Sequence, residues 1–291
     1  MYIIYCMFLV DIFLSETGII IFQRPGMDKL TRPDTYARNT LERYTGSPMS
    51  NFGSYIVLVN FQRYVEQFAQ ITNTEIHTGY WTSAHDREND ISIINFGVGS
   101  PSAGIVTHCL SYLDNIQGVL MLGMCGGIDD ELEIGDLLIP TASVRDEGTS
   151  KHYLPKNVPA QPNFWFNRIC EEVIRGEFDV IPKSGIMLTT DYRMWEFDEN
   201  FINYILHHRI LAIDMEIATL FSVAYAMNVP IGAIMLISDM PLRKGGIKTK
   251  DSAHEVFQSY SDRHLRVGLR VIDEIKNRNT RGKPFKLKNE W

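Results

Sequence analysis

The chain has 291 residues, of which 45% are hydrophobic, 22% charged and 11% aromatic, a globular composition that excludes a disordered or fibrous protein. Lys and Arg number 28 against 35 Asp and Glu, so the net charge is −7 at pH 7. A non-specific nucleic-acid binder needs a basic surface, so no nucleic-acid partner is expected, and an anionic ligand must find a local basic pocket.

The first 26 residues differ in composition from the rest of the chain. Two apolar runs, 3–10 and 18–22, are interrupted by Asp11 and Glu16, and neither reaches the roughly 20 apolar residues of a membrane-spanning helix. No Lys or Arg precedes position 24, whereas a secretory signal begins with a basic region. We therefore expect no membrane partner and interpret Met27 as the true start. A weak membrane-facing or partner-docking segment is the alternative.

Four cysteines, Cys6, Cys109, Cys125 and Cys170, lie far apart and form no C-x-x-C pair. This spacing fits neither a zinc site nor a dense disulfide framework, so a reducing, cytoplasmic location is expected. We expect neither a metal ion nor an organic cofactor.

From Ser54 onward, short β-branched runs alternate with segments of helical periodicity, which is typical of an α/β domain with a central sheet. The predicted strands are 55–60, 91–96, 118–122, 136–142, 185–188, 211–213 and 231–237. Apolar residues at i, i+3, i+4 and i+7 predict a helix over 215–227, and a capping box at Ser252 predicts a last helix to about Lys276. The aperiodic stretch 144–162 is expected to be a functional loop.

Two glycine-rich turns follow predicted strands. Residues 97–102 place two glycines before Ser100 and Pro101, a pattern typical of a strand-to-helix turn that holds an anion. Position 102 is Ser, so the G-x-G-x-x-G pattern is incomplete and a nicotinamide site is not expected. The small residues of 123–127 would let a flat ligand approach the backbone. Ordinary turn chemistry is the alternative for either run.

Two acidic motifs also follow predicted strands. Asp214 and Glu216 lie at a strand-to-helix junction, and Ser238 and Asp239 follow the most apolar strand. Ligands of open α/β sheets bind at the carboxyl ends of strands, so these acids are candidate site residues. The alternatives are that Glu216 complements a helix dipole and that Asp239 caps a turn.

These motifs together resemble the purine nucleoside phosphorylase and nucleosidase superfamily, and longer runs resemble its AMP nucleosidases in particular. The superfamily motifs are 97–99, 125–127, 215–216 and 238–239, and the longer runs are 43–48, 58–65, 189–196 and 213–219. The resemblance implies a three-layer α/β/α fold with a mixed central sheet. It implies a catalytic domain over 41–276, an N-terminal extension over 1–40 that is partly disordered or wrongly assigned, and a basic C-terminal tail over 277–291. Such a chain would be a short form that lacks most of an N-terminal regulatory domain.

The reaction that the resemblance implies is hydrolysis of AMP to adenine and ribose 5-phosphate. A departing purine is an anion unless it is protonated, and the ribose gains oxocarbenium character, so an acid at N7 and a polar clamp on the sugar both help. By resemblance, Asp239 is the acid and Ser238 orients it, while Glu216 accepts hydrogen bonds from the ribose hydroxyls beside Met215. The apolar strand 234–237 is expected to keep Asp239 protonated.

One departure from the bacterial purine phosphorylases concerns inorganic phosphate. The Arg and Ser that hold phosphate in those enzymes correspond to Met121 and Met124 here, and apolar side chains cannot pair with a phosphate dianion. We therefore predict that water is the nucleophile. Gly99 and Gly123, in the two glycine turns, are expected to contact the substrate.

The 5′-phosphate of AMP still needs cations. Arg63, Arg43 and Arg145 are ranked first, and Arg193 is a further candidate, because a guanidinium matches phosphate oxygens. Arg43 is also a candidate for a neighbouring subunit's site, since the resemblance implies a homo-oligomer, specifically a hexamer. Trp195, or Tyr192 beside it, is expected to stack on adenine or to close the pocket.

Two other functions stay open. The first is another purine nucleosidase or a nucleoside phosphorylase, which a requirement for phosphate would reveal. The second is a nucleotide sensor that binds without turnover, although the presence of both Glu216 and Asp239 argues against it.

Overall fold

The computed structural model describes residues 33–113, 115–178 and 180–280, and the backbone of three short strands before them. These strands, β1 (Ile3–Ile4), β2 (Val10–Ser15) and β3 (Gly18–Gln23), form an antiparallel sheet in the order β1-β2-β3. The chain divides into two compact units, 1–36 and 37–291. The interpretation of Met27 as the start, and the part of the basic tail after 280, lie outside the described residues. The division into an extension, a catalytic domain and a tail stays a prediction.

A large mixed sheet is the centre of the second unit. Within the described residues its strand order is β11-β10-β9-β12-β8-β4-β7-β6-β5, and an additional antiparallel pairing joins β11 to β8. Strands β4, β8 and β12 run parallel, whereas β9 pairs with β12 in the antiparallel sense. The bounds are β4 Tyr55–Val59, β5 Ile76–Thr78, β6 Thr82–Asp86, β7 Ile91–Asn95, β8 Gly118–Gly127, β9 Leu137–Asp146, β10 Lys183–Thr190, β11 Ala212–Asp214 and β12 Ile231–Asp239.

Helices cover both faces of this sheet. The bounds are α1 Pro33–Thr45, α2 Gln62–Thr72, α3 Ser100–Leu110, α4 Phe164–Glu177, α5 Glu199–His207, α6 Ile217–Ala226 and α7 Lys250–Thr280. Helices α3 and α6 bury their apolar residues in one core, and α2, α4 and α7 bury theirs in a second core on the other face. Burial of this apolar surface is the main force that holds the layers together. The three-layer α/β/α prediction is confirmed.

The predicted elements are found, with different ends. Strand β8 continues to Gly127 and β12 to Asp239, so the second glycine turn and the acidic motif extend the strands themselves. Helix α7 begins at Lys250 instead of Ser252, because Thr249 Oγ1 accepts a hydrogen bond from the Ser252 N–H at 3.2 Å. Strand β9 continues to Asp146, so the predicted loop is shorter than 144–162. None of the described helices is long and apolar enough to span a bilayer.

A buried histidine joins three of these elements. Within hydrogen-bonding distance, His264 Nδ1 lies 2.8 Å from the Tyr64 hydroxyl, and Nε2 lies 2.9 Å from the Ile234 carbonyl. The neutral ring satisfies both, with Nε2–H donating and Nδ1 accepting. Burial lowers the pKa of His264 to about 4. The ring thus links α2, α7 and β12 in its uncharged form.

We expect His264 to make the protein sensitive to acid. The unfolded chain binds a proton at this residue below about pH 6.5 and the folded chain only near 4, so stability is lost as the pH falls through that window. His264→Gln removes this dependence. The difference in unfolding free energy between wild type and variant, measured with urea, should shrink by about 2 kcal/mol between pH 7 and pH 5. The exposed control His254→Gln should show no such change, and a constant difference for His264→Gln would contradict the assignment.

Candidate active site

A cavity of about 290 Å³ opens at the carboxyl ends of the central strands. Because β4, β8 and β12 are parallel, their ends meet at one edge, where Asn60, Met124 and Asp239 line the cavity. The junction between β11 and α6 contributes Met215 and Glu216. This edge is where ligands bind in α/β folds.

Glu216 lies on the floor of the cavity and is only 2% exposed. Its Oε1 accepts a hydrogen bond from the Gly99 N–H at 2.7 Å, and its Oε2 accepts one from Asn60 Nδ2 at 3.4 Å. The backbone angle φ of Gly99 is +103°, a value that residues with a Cβ atom rarely adopt. Burial, and then the nearby charge of Asp214, raise the pKa of Glu216. A ligand that donates hydrogen bonds therefore favours the ionised form.

Asp214 fixes the backbone that carries Glu216. Its Oδ2 accepts hydrogen bonds from the N–H groups of Glu216, at 3.1 Å, and Ile217, at 2.7 Å, so it caps the first turn of α6. Its Oδ1 accepts one from Thr189 Oγ1 at 2.6 Å, and that hydroxyl accepts one from the Ala218 N–H. Burial raises the pKa of Asp214. The Glu216 carboxyl is thus positioned by a network that includes strands β10 and β11.

Asp239 lies at the end of β12, where a register shift against β8 turns it toward the cavity. Ser238 Oγ donates a hydrogen bond to Asp239 Oδ1 at 2.6 Å, which fits the predicted orienting role. The expectation of an apolar setting needs correction, because Lys248 Nζ lies 3.5 Å from Asp239 Oδ1. Asp239 therefore has apolar neighbours in β12 and a cation beside its carboxyl.

A family model described as the Phosphorylase superfamily matches residues 54–273, which contain the whole cavity lining. The chain belongs to the phosphorylase superfamily.

AMP nucleosidases are among the relatives of this phosphorylase-superfamily member. The Escherichia coli K12 AMP nucleosidase is 27% identical over 301 residues, which is 85% of this chain, and the chain spans 60% of the length of that relative. The crystal structure of AMP nucleosidase from Bacteroides thetaiotaomicron gives a TM-score of 0.75 at 31% identity, covering 86% of this chain and 100% of the other. A guanosine phosphorylase from Halorubrum lacusprofundi is 29% identical over 189 residues, 64% of this chain and 77% of its own length. The predicted resemblance is confirmed.

The structure brings most of the predicted site residues together. Beside the two acids, the cavity of this superfamily member is lined by Met215, Ser238, Arg193 and Trp195. Trp195 is 4% exposed and packs near Phe201, so it forms part of the wall of the pocket. Tyr192 lines the same cavity and is 44% exposed.

The two glycines that were expected to contact substrate have other roles. The N–H of Gly99 is already bonded to Glu216, so the first glycine turn holds a carboxylate of the chain itself instead of an external anion. Gly123 is absent from the cavity lining. A Cβ there would lie 2.6 Å from Met235 Cε and 2.8 Å from Met121 Cε, so the position is limited by side-chain packing inside the sheet.

The three arginines ranked first for the 5′-phosphate lie outside the cavity lining. Arg63 is exposed in a separate cleft between α2 and α7. Arg43 is exposed at the end of α1, with its guanidinium 5.2 Å from the Tyr44 ring centroid. Arg145 donates to the carbonyls of Leu154, Pro155 and Val158 and to Ser150 Oγ, so its guanidinium holds the 149–160 segment together. These three predictions are not supported by the positions of the side chains within one chain.

Two residues of the cavity were not singled out from the sequence. Asn60 follows β4 and bonds Glu216, and its place after an apolar strand in a matching run was a usable signal. Lys248 lies nine residues after Asp239 in a glycine-containing loop. Neither the periodicity of the sequence nor the spacing of its residues indicates that the Lys248 side chain lies beside the end of β12, the strand before this loop.

Proposed function

We propose that this protein hydrolyses the N-glycosidic bond of AMP to give adenine and ribose 5-phosphate. The observation that carries the proposal is that the buried carboxyl groups of Glu216, before α6, and of Asp239, at the end of β12, line the same cavity from separate elements. The similarity to AMP nucleosidases supports AMP as the substrate.

The two carboxyl groups divide the work of breaking the C1′–N9 bond. Asp239, oriented by Ser238, donates a proton to N7, so that neutral adenine departs instead of an anion. Glu216 accepts hydrogen bonds from the ribose hydroxyls, and its negative charge stabilises the positive charge that develops on the sugar. Asn60 and Gly99 hold the Glu216 carboxyl in place for both tasks.

The cavity favours water over inorganic phosphate as the nucleophile. Met124 lines it, and Met121 is fully buried in the core. Among the described lining residues, the Lys and Arg side chains are Arg193 and Lys248, which form ion pairs with Glu196 and Asp239, respectively. A phosphate dianion beside Met124 would be buried without a cation, which is costly.

Arg193 is our candidate ligand for the 5′-phosphate. Its Nη1 donates a hydrogen bond to Glu196 Oε1 at 2.5 Å, and 56% of the Arg193 side chain is exposed. A guanidinium has five N–H donors in a fork that matches phosphate, so donors remain for a ligand at the cavity mouth.

Arg193→Met should separate recognition of the nucleotide from recognition of the nucleoside. We expect KM for AMP to rise by at least about tenfold, because a charge-assisted contact to phosphate is lost, while kcat/KM for adenosine stays the same. Steady-state kinetics with both substrates measures this, with the exposed Arg87→Met as a matched control. An equal loss of kcat/KM for AMP and for adenosine would contradict a contact between Arg193 and the 5′-phosphate.

The proposed function is tested by incubating the purified protein with AMP in phosphate-free buffer and separating the products by chromatography. We expect adenine and ribose 5-phosphate in equal amounts. If the base is released only from a nucleoside, and only after phosphate is added, the protein is a nucleoside phosphorylase. Tight AMP binding without turnover of any purine substrate would favour the sensor.

Three broader features of the protein remain part of the proposal. We infer a reducing, cytoplasmic compartment, which the buried free thiols of Cys109, Cys125 and Cys170 support. We also infer a homo-oligomer, a hexamer by resemblance. In such an assembly the exposed Arg43 stays a candidate for the site of a neighbouring copy.

A further inference from the structure

Glu196 is a carboxylate of the cavity to which the two-carboxyl mechanism gives no task. It lines the cavity together with Arg193. Only 4% of the Glu196 side chain is exposed, against 56% of the Arg193 side chain. Glu196 Oε1 accepts a hydrogen bond from Arg193 Nη1 at 2.5 Å. The carboxylate is thus nearly buried, while the guanidinium that it holds stays accessible to a ligand.

A short turn between β10 and α5 fixes Glu196 in this position. The Phe197 N–H donates a hydrogen bond to the Met194 carbonyl at 3.2 Å. Between these two residues, Trp195 is 4% exposed and belongs to a small apolar core. Removing a carboxylate from water costs desolvation free energy, which the ion pair with Arg193 offsets. Glu196 and Arg193 therefore act as a pair.

The other charges of the cavity add no excess of positive charge. Besides Glu196, the acidic side chains of the described lining are Asp214, Glu216 and Asp239. The second cation of this lining, Lys248, lies 3.5 Å from Asp239 Oδ1. Each cation of the described lining therefore has a carboxylate beside it.

We propose that Glu196 is a specificity-determining residue, which neutralises Arg193 so that the cavity binds a nucleoside monophosphate and disfavours nucleoside di- and triphosphates. This role rests on the proposed hydrolysis of AMP and on Arg193 as the ligand of the 5′-phosphate. It selects against more highly charged nucleotides, a task that neither Asp239 nor Glu216 performs in the proposed mechanism.

The selection depends on the distance between each phosphate and the ion pair. A phosphate that touches Arg193 gains hydrogen bonds from the guanidinium donors that Glu196 leaves free. A second or third phosphate lies farther away, where the opposite charges of the pair largely cancel and the acids of the cavity repel it. Each added phosphate of ADP or ATP thus brings negative charge without attraction. Repulsion of the wrong ligand is an established source of specificity.

Glu196→Gln is the variant that isolates the charge of this carboxylate. The glutamine Oε1 still accepts a hydrogen bond from Arg193 Nη1, so the guanidinium keeps its place. Its positive charge is then unopposed, and its attraction for an anion should grow with the charge of that anion. The exposed Glu199→Gln, in the first turn of α5, is the matched control.

The test measures inhibition of AMP hydrolysis by adenosine, ADP and ATP in magnesium-free buffer. In the wild type, the inhibition constants of ADP and ATP should exceed KM for AMP by at least about tenfold. For Glu196→Gln we expect the inhibition constant of ATP to fall by at least about tenfold, and that of ADP by about three- to fivefold. The inhibition constant of adenosine, which has no phosphate, measures changes in pocket shape that affect all ligands. The double variant Arg193→Met/Glu196→Gln should lose the gain, and Glu199→Gln should match the wild type.

The order of the inhibitors separates this role from a structural one. A change in pocket shape affects adenosine, ADP and ATP equally, whereas a charge effect follows their charges. Equal changes for the three ligands, a gain that persists in the double variant, or wild-type inhibition by ATP at or below KM for AMP would overturn the role of Glu196, while the hydrolysis of AMP stands. Failure of the wild-type protein to release adenine from AMP would overturn the proposed function and the role that rests on it.

Discussion

Asp239→Asn should reduce kcat for AMP hydrolysis by about 10³-fold while AMP binding is retained. Asparagine has the shape of aspartate, and its Oδ1 still accepts the hydrogen bond from Ser238, so the end of β12 keeps its conformation. What is lost is the proton that neutralises the departing purine. Rapid-quench kinetics gives the rate, and isothermal titration calorimetry gives the AMP affinity.

A 7-methylpurine nucleotide, in which N7 already carries a positive charge, is the control for this variant. Because its base departs without protonation, Asp239→Asn should hydrolyse it nearly as fast as the wild type does. A variant that hydrolyses AMP at the full rate would contradict the assignment of Asp239 as the acid. Slow turnover of both substrates would indicate that Asp239 acts on the sugar or on water.

Glu216→Gln should lower kcat by about 10²-fold with little change in KM, because the negative charge matters most when the sugar becomes cationic. The fold tolerates the change. The Gln oxygen still accepts from the Gly99 N–H, and the Asn60 amide can turn so that its Oδ1, which lacks a hydrogen-bond partner among the described residues, accepts from the new amide. An effect confined to KM would contradict the proposed role.

The same variant should also change the pH dependence of stability. Burial raises the pKa of Glu216 in the folded protein, so wild-type stability falls as the pH rises from about 4.5 through that raised value. Glu216→Gln removes the ionisation, and its Tm relative to the wild type should therefore increase with pH. Thermal unfolding at pH 5 and pH 8 measures this, with the exposed Glu66→Gln as the control. A Tm difference independent of pH would show that Glu216 ionises freely.

The positions of the two acids could be predicted because they depend on local sequence. Glu216 and Asp239 directly follow apolar strands, and the ends of strands in an α/β sheet converge at one edge. The helix of residues 215–227 was predicted from its periodicity, but its start was not, because Asp214 uses its own carboxylate to cap the first turn at Glu216 and Ile217. Capping of this kind is decided by side-chain rotamers.

Arg193 was a candidate from the sequence and lines the cavity, but the positions of the other cations could not be predicted, because they depend on long-range folding. Arg145 follows a run of strand residues and has the right chemistry for phosphate, yet three loop carbonyls take its donors. Lys248 lies in no motif that the sequence analysis identified. It approaches Asp239 because the glycines of its loop allow the chain to reverse direction tightly after β12. The edge strand β5 and its neighbour β6 were also missed, since they are short and carry polar residues such as Thr82 and Asp86.

The nucleophile is the central claim, and isotope labelling tests it most directly. The protein is incubated with AMP in ¹⁸O-labelled water that contains excess inorganic phosphate, and the sugar product is analysed by mass spectrometry. We predict ribose 5-phosphate that carries one ¹⁸O atom at C1, together with free adenine. An unlabelled ribose with a second phosphate on C1 would contradict the account, because phosphate would then be the nucleophile in a cavity lined by Met124.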